Sequence, residues 1–375
     1  MPKRTIKEIK EYKLKSGAKR FGFKTYLGKD EFGKSIKVTR KGFRTYAEAA
    51  EVYNALRSNG TQGYVRPKQI KVDDLWKLWF EIFKTQVKES NANRVSTSYR
   101  VHIKPIFGEN YMDKITVTAL QKWTESLAKN MATYKRPIYL MSRLFDYAFT
   151  LGYVKENPTK KLIFPRISKN KNKSKHKDNF YNRSELNKFL KDAKKFNFKF
   201  YTYFLLLAST GLRRGEGLGL TWNDIDFKNQ QLHVNRTVAI GLDNKTVIQP
   251  PKTFNSRRTI PMSDNLVAVL KKYRKDYPTP HDRLFTKQDG GWKAPSDSRD
   301  WLQQIYKKYP DLRRITVHGF RHTFATLLIE ETDIKPKEVQ ALMGHETIAM
   351  TLDIYTHATK NDHDNARRNI NALNI

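Results

Sequence analysis

Residues 317–326 read Val-His-Gly-Phe-Arg-His-Thr-Phe-Ala-Thr, and they carry the clearest indication of architecture in this chain. On a helix, His318 and Arg321 stand three residues apart and therefore share one face. Apolar side chains follow at helical spacing and would dock such a helix on a core; they are Phe324, Leu327 and Leu328. The stretch predicts a packed helix that carries an imidazole and a guanidinium on one face.

A second helix is predicted downstream, followed by a short third one. Pro336 suits the first turn of the second helix, and Gly344 suits its end, which leaves His345 just past the last turn. Thr347 can cap the third helix, and Tyr355 lies on the apolar side of that helix. Taken singly, a histidine beside a helix end is usually a cap, and a tyrosine on an apolar face is usually core. A functional interpretation therefore depends on the rest of the chain.

An arginine at a helix start gives the second indication, in residues 210–216, which read Thr-Gly-Leu-Arg-Arg-Gly-Glu. Arg213 is predicted to begin a helix, beside N–H groups that have no partner within the helix. Positive charge at a helix N-terminus is unfavourable unless an anion binds there. Glu216 follows three residues later and can orient Arg213 or a neighbouring imidazole.

A lysine on a loop lies between these two regions. Residues 250–261 read Pro-Pro-Lys-Thr-Phe-Asn-Ser-Arg-Arg-Thr-Ile-Pro. Their polar centre lies between residues 246–248 and 258–260, and this pattern predicts a β-hairpin with a long loop. Lys252 would project from that loop, where it can move into a site.

The order and spacing of these groups resemble the tyrosine recombinases, in particular the phage-type integrases. The matching strings are TGLR-x-x-E, PKT-x-x-S-x-R-x-IP, HGFRHTFAT, and LMGH followed by a tyrosine. One short motif recurs by chance, whereas all of them in order are specific. The resemblance assigns as catalytic Arg213, Lys252, His318, Arg321, His345 and Tyr355, supported by Glu216, and the chain departs from the pattern at none of these positions.

Composition supports a polyanionic partner. The 375 residues include 72 Lys or Arg and 37 Asp or Glu, for a net charge of +35, which favours nucleic acid over a small-molecule substrate. The absence of cysteine excludes disulfides, thiolate metal sites and cysteine nucleophiles. No apolar run approaches the ~18 residues of a membrane span, and no signal peptide is visible. We therefore expect a cytoplasmic protein without a membrane partner, on the nucleoid of a bacterial host cell.

A mainly α multidomain fold with small β-sheets is expected, and its first part is a basic module at 1–65. Alternation predicts strands at 21–25 and 36–38, with a third at 40–44. Thr45 opens a helix through a capping box. The module is similar to the arm-site-binding domain of phage-type integrases, a three-stranded sheet laid on DNA. The expected DNA contacts are Arg20, Lys24, Lys37, Arg40 and Lys41.

Helical periodicity dominates residues 66–158, where Asp73 can cap the first helix. Further helices are predicted at about 97–106, 118–128 and 133–150, which makes a bundle of four to five helices. This part resembles the core-binding domain of the family, which grips the duplex. Its expected phosphate contacts are Arg100, Lys104, Lys135 and Arg136, with Arg94 and His102 as further candidates.

A basic linker is predicted at 159–177, and an α+β catalytic domain with its C-terminal tail at 178–375. The linker has no periodicity and would lie along the DNA backbone through Lys171 and Lys173. The catalytic domain begins with a helix capped by Asn182 or Ser184, and Arg257 is a further expected DNA contact. In the family, such tails pack on a neighbouring protomer.

The chemistry implied is attack of a phenol on phosphorus. Two guanidiniums, Arg213 and Arg321, would neutralise the non-bridging oxygens, with a hydrogen bond from His345. Tyr355 is the expected nucleophile, His318 its base and Lys252 the acid for the leaving 5′ oxygen. The resulting 3′-phosphotyrosyl link conserves the phosphodiester energy, so no cofactor, metal or ATP is expected. A strand from another duplex would then complete an integration or excision.

Three other functions remain open at this point. A metal hydrolase would use His318 and His322, but the pair lacks the glutamate of an H-E-x-x-H motif, and Arg321 between them would repel a cation. A nicking-closing topoisomerase or a non-catalytic DNA-binding regulator would share the fold. The resemblance itself implies a homotetramer on paired double-stranded DNA attachment sites. It also implies a host DNA-bending protein and an excisionase as possible partners.

Overall fold

The computed structural model describes residues 6–14, 16–29, 35–58, 69–166, 179–251, 257–278, 282–349 and 351–352. The fold is mainly α-helical with small antiparallel sheets, as predicted. Two compact units are present: Met1–Trp79 with His102–Pro165, and Phe80–Val101 with Arg166–Ile375. Across the described ranges, no helix has the length and apolar character needed to cross a membrane.

Three antiparallel strands open the chain, with the second in the middle. They are β1 (Ile9–Lys13), β2 (Lys19–Lys29) and β3 (Ser35–Phe43), and helix α1 (Tyr46–Ser58) packs on one face of their sheet. The core between sheet and helix consists of Ile9, Phe23, Ala49 and Tyr53. The predicted capping box is confirmed, because the Glu48 N–H donates to Thr45 Oγ1 at 3.2 Å and Glu48 Oε2 accepts from the Thr45 N–H at 3.4 Å.

The prediction of a separate strand at 40–44 is wrong. Strand β3 continues through Phe43, since an irregularity in its pairing with β2 absorbs the change of register near Gly22. The third strand is instead β1, which pairs Ile9 with Phe23. Of the five residues in β1, only Ile9 is buried, so charged neighbours hide the alternation that marks a strand.

Helices complete the first unit. Helix α2 (Val72–Gln86) contributes its first turns, and it is followed in this unit by α4 (Lys104–Phe107), α5 (Val117–Asn130) and α6 (Lys135–Thr150). Asp73 lies inside the first turn of α2 rather than capping it, and its carboxylate pairs with Lys104 Nζ at 3.1 Å. The buried core of these helices includes Leu75, Leu120, Met141, Leu144 and Phe145.

Part of the predicted linker packs on this helical unit. The side chain of Gln121 accepts from the Ile163 N–H at 3.1 Å and donates to the Ile163 carbonyl at 3.0 Å. The Tyr134 hydroxyl donates to the Pro165 carbonyl at 2.6 Å. The chain is therefore held on α5 and α6 as far as Pro165. Lys171 and Lys173 lie outside the described residues.

The helix predicted at 97–106 begins earlier and changes form. It starts as α3 (Glu89–Ser98), continues as a π-helix (Tyr99–Ile103), and joins α4. Helix α3 belongs to the second unit, where Ser90 lies 2.8 Å from the Gln249 side chain and Lys88 Nζ donates to the Pro250 carbonyl at 3.0 Å. These contacts are formed between residues far apart in sequence, so a local pattern does not predict them.

A nearly all-apolar helix organises the second unit. Helix α8 (Phe198–Thr210) is buried along most of its length, as expected for a helix without a polar face. It packs against α7 (Arg183–Phe196), α10 (Asp264–Asp276) and α12 (Val317–Glu331). Of the two predicted caps of α7, the structure has Asn182, in a capping box with Glu185. Other helices of this unit are α9 (Arg214–Leu218), α11 (Pro295–Lys308) and α13 (Pro336–Met343).

The hairpin predicted around residues 250–257 is wrong in its pairing, although both strands exist. Strand β7 (Thr246–Gln249) pairs with β6 (Thr237–Ile240), and β8 (Arg258–Pro261) pairs with β5 (Gln231–Val234). A two-residue strand, β4 (Ile225–Asp226), completes the β5–β8 sheet. Strands β6 and β7 are close neighbours in the sequence, so the turn that joins them is short and closes at little entropic cost.

Candidate active site

The turn between α8 and α9 positions the first arginine. Gly211 ends α8 in the left-handed region at φ 63°, and a Cβ there would lie 2.5 Å from Phe324 Cδ1 and 2.7 Å from Met343 Sδ. Arg213 then stands at the N-cap of α9, as predicted. Its N–H donates to Glu216 Oε2 at 3.0 Å and its guanidinium to Glu216 Oε1 at 2.8 Å. Glu216 therefore compensates the charge that Arg213 brings to a helix start.

The second predicted arginine lies deep in the same unit. Arg321 on α12 is 3% exposed, and its two terminal nitrogens donate to the Gly211 carbonyl at 2.6 Å and the Met343 carbonyl at 2.5 Å. Burial, and then the charges of Arg213 and Arg258, lower the pKa of Arg321 to about 9. The guanidinium therefore remains protonated near neutral pH, and two carbonyls fix its plane.

The C-terminal end of α13 holds three guanidiniums through three consecutive carbonyls. Leu342 accepts from Arg258 Nε at 2.7 Å, Met343 from Arg321, and Gly344 from Arg213 at 2.8 Å. Carbonyls at a helix C-terminus lack partners within the helix and carry partial negative charge, which suits cations. Gly344 ends α13 in the left-handed region at φ 61°, as predicted.

Arg258 is the arginine of the string PKT-x-x-S-x-R-x-IP, but no role was assigned to it from the sequence. Its side chain is 5% exposed, and a terminal nitrogen donates to Glu216 Oε2 at 2.9 Å. Burial alone would raise the pKa of Glu216, but the guanidiniums of Arg258 and Arg213 outweigh it and lower that pKa. Arg257, the residue predicted to contact DNA, is exposed. Arg257 immediately precedes β8 and Arg258 begins it, and neighbouring residues of an extended chain point to opposite faces. Which of the two faces inward depends on the pairing of β8 with β5.

His345 lies directly after Gly344 and is buried. Burial, followed by the charges of Arg321 and Arg213, lowers the pKa of His345 from 6.5 to about 4, so the imidazole is neutral near pH 7. Its Nδ1 lies 2.9 Å from the hydroxyl of Thr351, another contact that the sequence did not indicate. When that hydroxyl donates to Nδ1, the ring hydrogen is on Nε2 and is available to a ligand.

His318 occupies the first turn of α12, on the same helix as Arg321. Its ring stands 4.7 Å from that of His322, at right angles. Partial burial, then the charges of His322 and Arg321, lower the pKa of His318 to about 4. The side chain remains accessible to solvent, so a neutral imidazole is open to a proton donor from outside the protein.

A pocket of about 390 Å³ opens beside this cluster. It is lined by Arg257, Arg258, Lys337, Gln340, Ala341, Gly344 and His345. Three of these seven residues are cationic and none is acidic, so the pocket suits an anion. In the described part of the chain, no three His, Asp or Glu side chains are grouped in a way that could hold a metal ion.

The structure thus brings together four of the predicted groups: Arg213, Glu216, Arg321 and His345. His318 shares helix α12 with Arg321. Lys252 and Tyr355 lie outside the described residues. In sequence, Lys252 directly follows the described Pro251, and Tyr355 follows the described Leu352 after two intervening residues.

The basic residues of the N-terminal sheet lie largely on one face. Directly opposed residues share a face, and the register opposes Tyr12 to Arg20, Gly22 to Lys41, Lys24 to Thr39, and Tyr26 to Lys37. Phe23, which packs on α1, belongs to the other face and is opposed to Arg40. Four of the five predicted contacts therefore lie on the open face, and Arg40 is separated from them.

The basic residues predicted on the helices are exposed: Arg94, Arg100, Lys104, Lys135 and Arg136. His102, the further candidate, is half-buried. Lys104 pairs with Asp73, and Lys135 Nζ lies 5.1 Å from the centre of the Phe164 ring.

Profiles of known protein families match two regions of the chain. The profile described as "Phage integrase family" matches residues 179–362, and "Phage integrase, N-terminal SAM-like domain" matches residues 71–128. A protein of Caldanaerobacter subterraneus subsp. tengcongensis named "Tyrosine recombinase XerC-like" is 31% identical, over 96% of this chain and 98% of that protein. The "ICEBs1 integrase" of Bacillus subtilis is 25% identical over 91% of this chain and 92% of its own length.

Solved structures share the fold. The Tn1549 transposon integrase in complex with transposon right end DNA superposes with a TM-score of 0.64 at 24% identity, covering 82% of this chain and all of that one. A lambda integrase tetramer bound to a Holliday junction gives a TM-score of 0.56 at 14% identity, covering 92% of this chain and 97% of that one. At these identities the likeness concerns the fold alone.

Proposed function

Because this chain belongs to the phage integrase family of tyrosine recombinases, we propose that it cuts and rejoins DNA through a 3′-phosphotyrosyl intermediate on Tyr355. It is a tyrosine-type site-specific DNA recombinase of the kind encoded by mobile elements.

A single observation carries the proposal: Arg213 and Arg321 are both held by the same helix end. Each donates to a carbonyl at the end of α13, and His345 follows in the chain. A guanidinium is planar and has five N–H groups, so one anchored in this way keeps donors for a phosphate. Two such groups would neutralise the two non-bridging oxygens of one phosphodiester, and His345 Nε2–H would add a third donor.

The reaction begins with attack of the Tyr355 oxygen on phosphorus. The new bond joins that oxygen to the 3′ phosphate, and the bond between phosphorus and the 5′ oxygen breaks. The phenol proton passes to a base, which we assign to His318, and Lys252 gives a proton to the leaving 5′ oxygen. Attack by a 5′-hydroxyl from another duplex reverses these steps and restores the phosphodiester.

The low pKa values of the two histidines suit these roles. A base must be unprotonated before it accepts a proton, and the surroundings of His318 favour its neutral form near pH 7. Formation of negative charge on the phosphate would then strengthen binding of a proton to a nearby imidazole. His345 is held neutral by burial and adjacent guanidiniums, so it acts as a hydrogen-bond donor rather than as a cation.

Assembly follows from the two-site nature of strand exchange. We infer that four copies of the chain act on two double-stranded DNA attachment sites, with residues 66–158 and 178–375 gripping the core site. The lambda integrase tetramer on a Holliday junction has the same fold. A host DNA-bending protein and an excisionase would determine direction by shaping the DNA.

The open face of the N-terminal sheet is proposed to bind a separate DNA site. Replacing Lys24 and Lys41 with glutamine removes two cations from that face, so the slope of log affinity against log salt should fall in magnitude by roughly 2. Replacing Arg40 with glutamine removes one cation from the opposite face and should leave the slope nearly unchanged. A fall of roughly 1 in the Arg40 variant, which is the same fall per charge, would rule out the open sheet face as the contact; DNA binding at several salt concentrations is the measurement.

Strand exchange between two marked duplexes tests the proposed function. Both duplexes carry the attachment core of the element, and each is labelled at a different end. With chelator and without nucleotide, recombinant products are expected that join the two labels. Relaxation of supercoiled DNA without joined labels would indicate a topoisomerase, and tight binding with neither product would indicate a regulator.

A further inference from the structure

The third arginine at the end of α13 has no role in the reaction as derived so far. Arg258 begins strand β8, whereas Arg213 and Arg321 come from the start of α9 and from α12. All three meet the same helix end, on the consecutive carbonyls of residues 342–344. Arg258 is therefore the member of this group that links a β-strand to the arginine cluster.

Arg258 also reaches the carboxylate that orients Arg213. Its guanidinium donates to Glu216 Oε2, the oxygen that accepts the Arg213 N–H, while Oε1 takes the Arg213 side chain. One guanidinium thus bridges the end of α13 and the carboxylate at the start of α9. Glu216 is 2% exposed, so without Arg258 a buried carboxylate would keep only one cationic partner among these contacts.

A buried ion pair is a costly way to stabilise a fold, because desolvation offsets much of the attraction. What such a pair supplies is fixed geometry: two donors of one rigid group hold two acceptors at a set separation. Here the acceptors belong to the two elements that carry Arg213 and His345.

We propose that Arg258 is a positioning residue for strand cleavage. Its guanidinium sets the distance between the Arg213–Glu216 pair at the start of α9 and the C-terminal end of α13. In this assignment Arg258 acts through Glu216 and the Leu342 carbonyl rather than on the phosphate itself. The inference rests on the proposed function, because it explains how the phosphate-binding arginines are held. It predicts that loss of Arg258 lowers the rate of cleavage and leaves the electrostatic contribution to DNA binding intact.

The test compares Arg258→Met, Arg258→Lys and Arg299→Met as full-length proteins. Arg299 is an exposed arginine on α11 beside Asp300, and it makes none of the contacts described for the site, so its variant removes the same charge without breaking them. Cleavage is measured in a single turnover at saturating site DNA, and affinity is measured separately against salt. For Arg258→Met we expect a rate lower by about 100-fold, as for a displacement of reacting groups by about 1 Å. Arg258→Lys should recover part of the rate, since one ammonium can reach one of the two acceptors.

The salt dependence separates positioning from DNA contact. An unchanged slope with a slower rate supports positioning, whereas a smaller slope for Arg258→Met than for Arg299→Met would overturn it in favour of a phosphate contact. A wild-type rate in Arg258→Met would overturn it as well. The double variant that combines Arg258→Met with Glu216→Gln should cleave no more slowly than the slower of the two single variants, because both substitutions remove the same Arg258–Glu216 link.

Unfolding measurements keep the inference separate from the proposed function. If the wild-type protein forms no covalent complex that depends on Tyr355, the proposed function fails, whatever the variants do. The Arg258–Glu216 link is then judged by denaturant midpoints of the DNA-free proteins. The double variant is expected to shift the midpoint by less than the sum of the single shifts, and additive shifts would overturn the link.

Discussion

With phenylalanine at position 355, the protein is expected to bind its site DNA and to form no covalent complex with it. The change removes only the phenolic oxygen, which is the atom that forms the new bond to phosphorus. Cleavage should therefore fall to the limit of detection, and strand exchange with it. The measurement is a denaturing gel of labelled site DNA after incubation with protein, alongside a binding titration.

Tyr277→Phe is the matched control for Tyr355→Phe. Tyr277 follows α10, is partly exposed, and stacks its ring on Tyr273 at 4.9 Å between centres, a contact that phenylalanine preserves. This variant should cleave at the wild-type rate. A covalent band of full intensity from Tyr355→Phe would place the nucleophile on another residue.

Arg321→Lys is expected to lower the cleavage rate by roughly 100- to 1,000-fold, the range for loss of one preorganised donor to a developing oxyanion. An ammonium is a single point of charge, so it cannot reach the Gly211 and Met343 carbonyls together and still present donors to a phosphate. Affinity for site DNA should change far less, because the positive charge remains. Single-turnover cleavage at saturating DNA provides the measurement.

Arg314→Lys serves as the control for Arg321→Lys. Arg314 is exposed three residues before α12, and the same substitution there should leave the rate and the denaturant midpoint at wild-type values. A normal rate in Arg321→Lys would mean that charge alone is needed at this position. A loss of rate matched by a comparable loss of folding would make the role of Arg321 structural.

Much of the candidate site follows from short-range signals in the sequence. Gly344 and His345 are one example: a glycine after an apolar stripe predicts a helix end, and the residue after it then lies beside whatever packs on that end. Arg213 and Glu216 are another, because a separation of three residues is enough to predict the contact between them at a helix start. Such signals depend on the local backbone, which the sequence largely determines.

The features missed by sequence analysis depend on partners that are distant in the chain. Strands β7 and β8 were each recognised, but their partners β6 and β5 are set by competition among several pairings. The inward direction of Arg258 follows from that pairing, so the neighbouring Arg257 was favoured instead. The row of carbonyls at the end of α13 is likewise a tertiary arrangement, which no local pattern of residues 342–344 reveals.

The most direct measurement is to identify the amino acid that becomes linked to DNA. A duplex with a nick near the cleavage point loses a short strand after attack, so the covalent complex accumulates; proteolysis and mass spectrometry then locate the modified peptide. We expect a nucleotide on Tyr355, joined through the 3′ phosphate, with a free 5′-hydroxyl on the released strand. A nucleotide on any other residue, or a link through the 5′ phosphate, would contradict it.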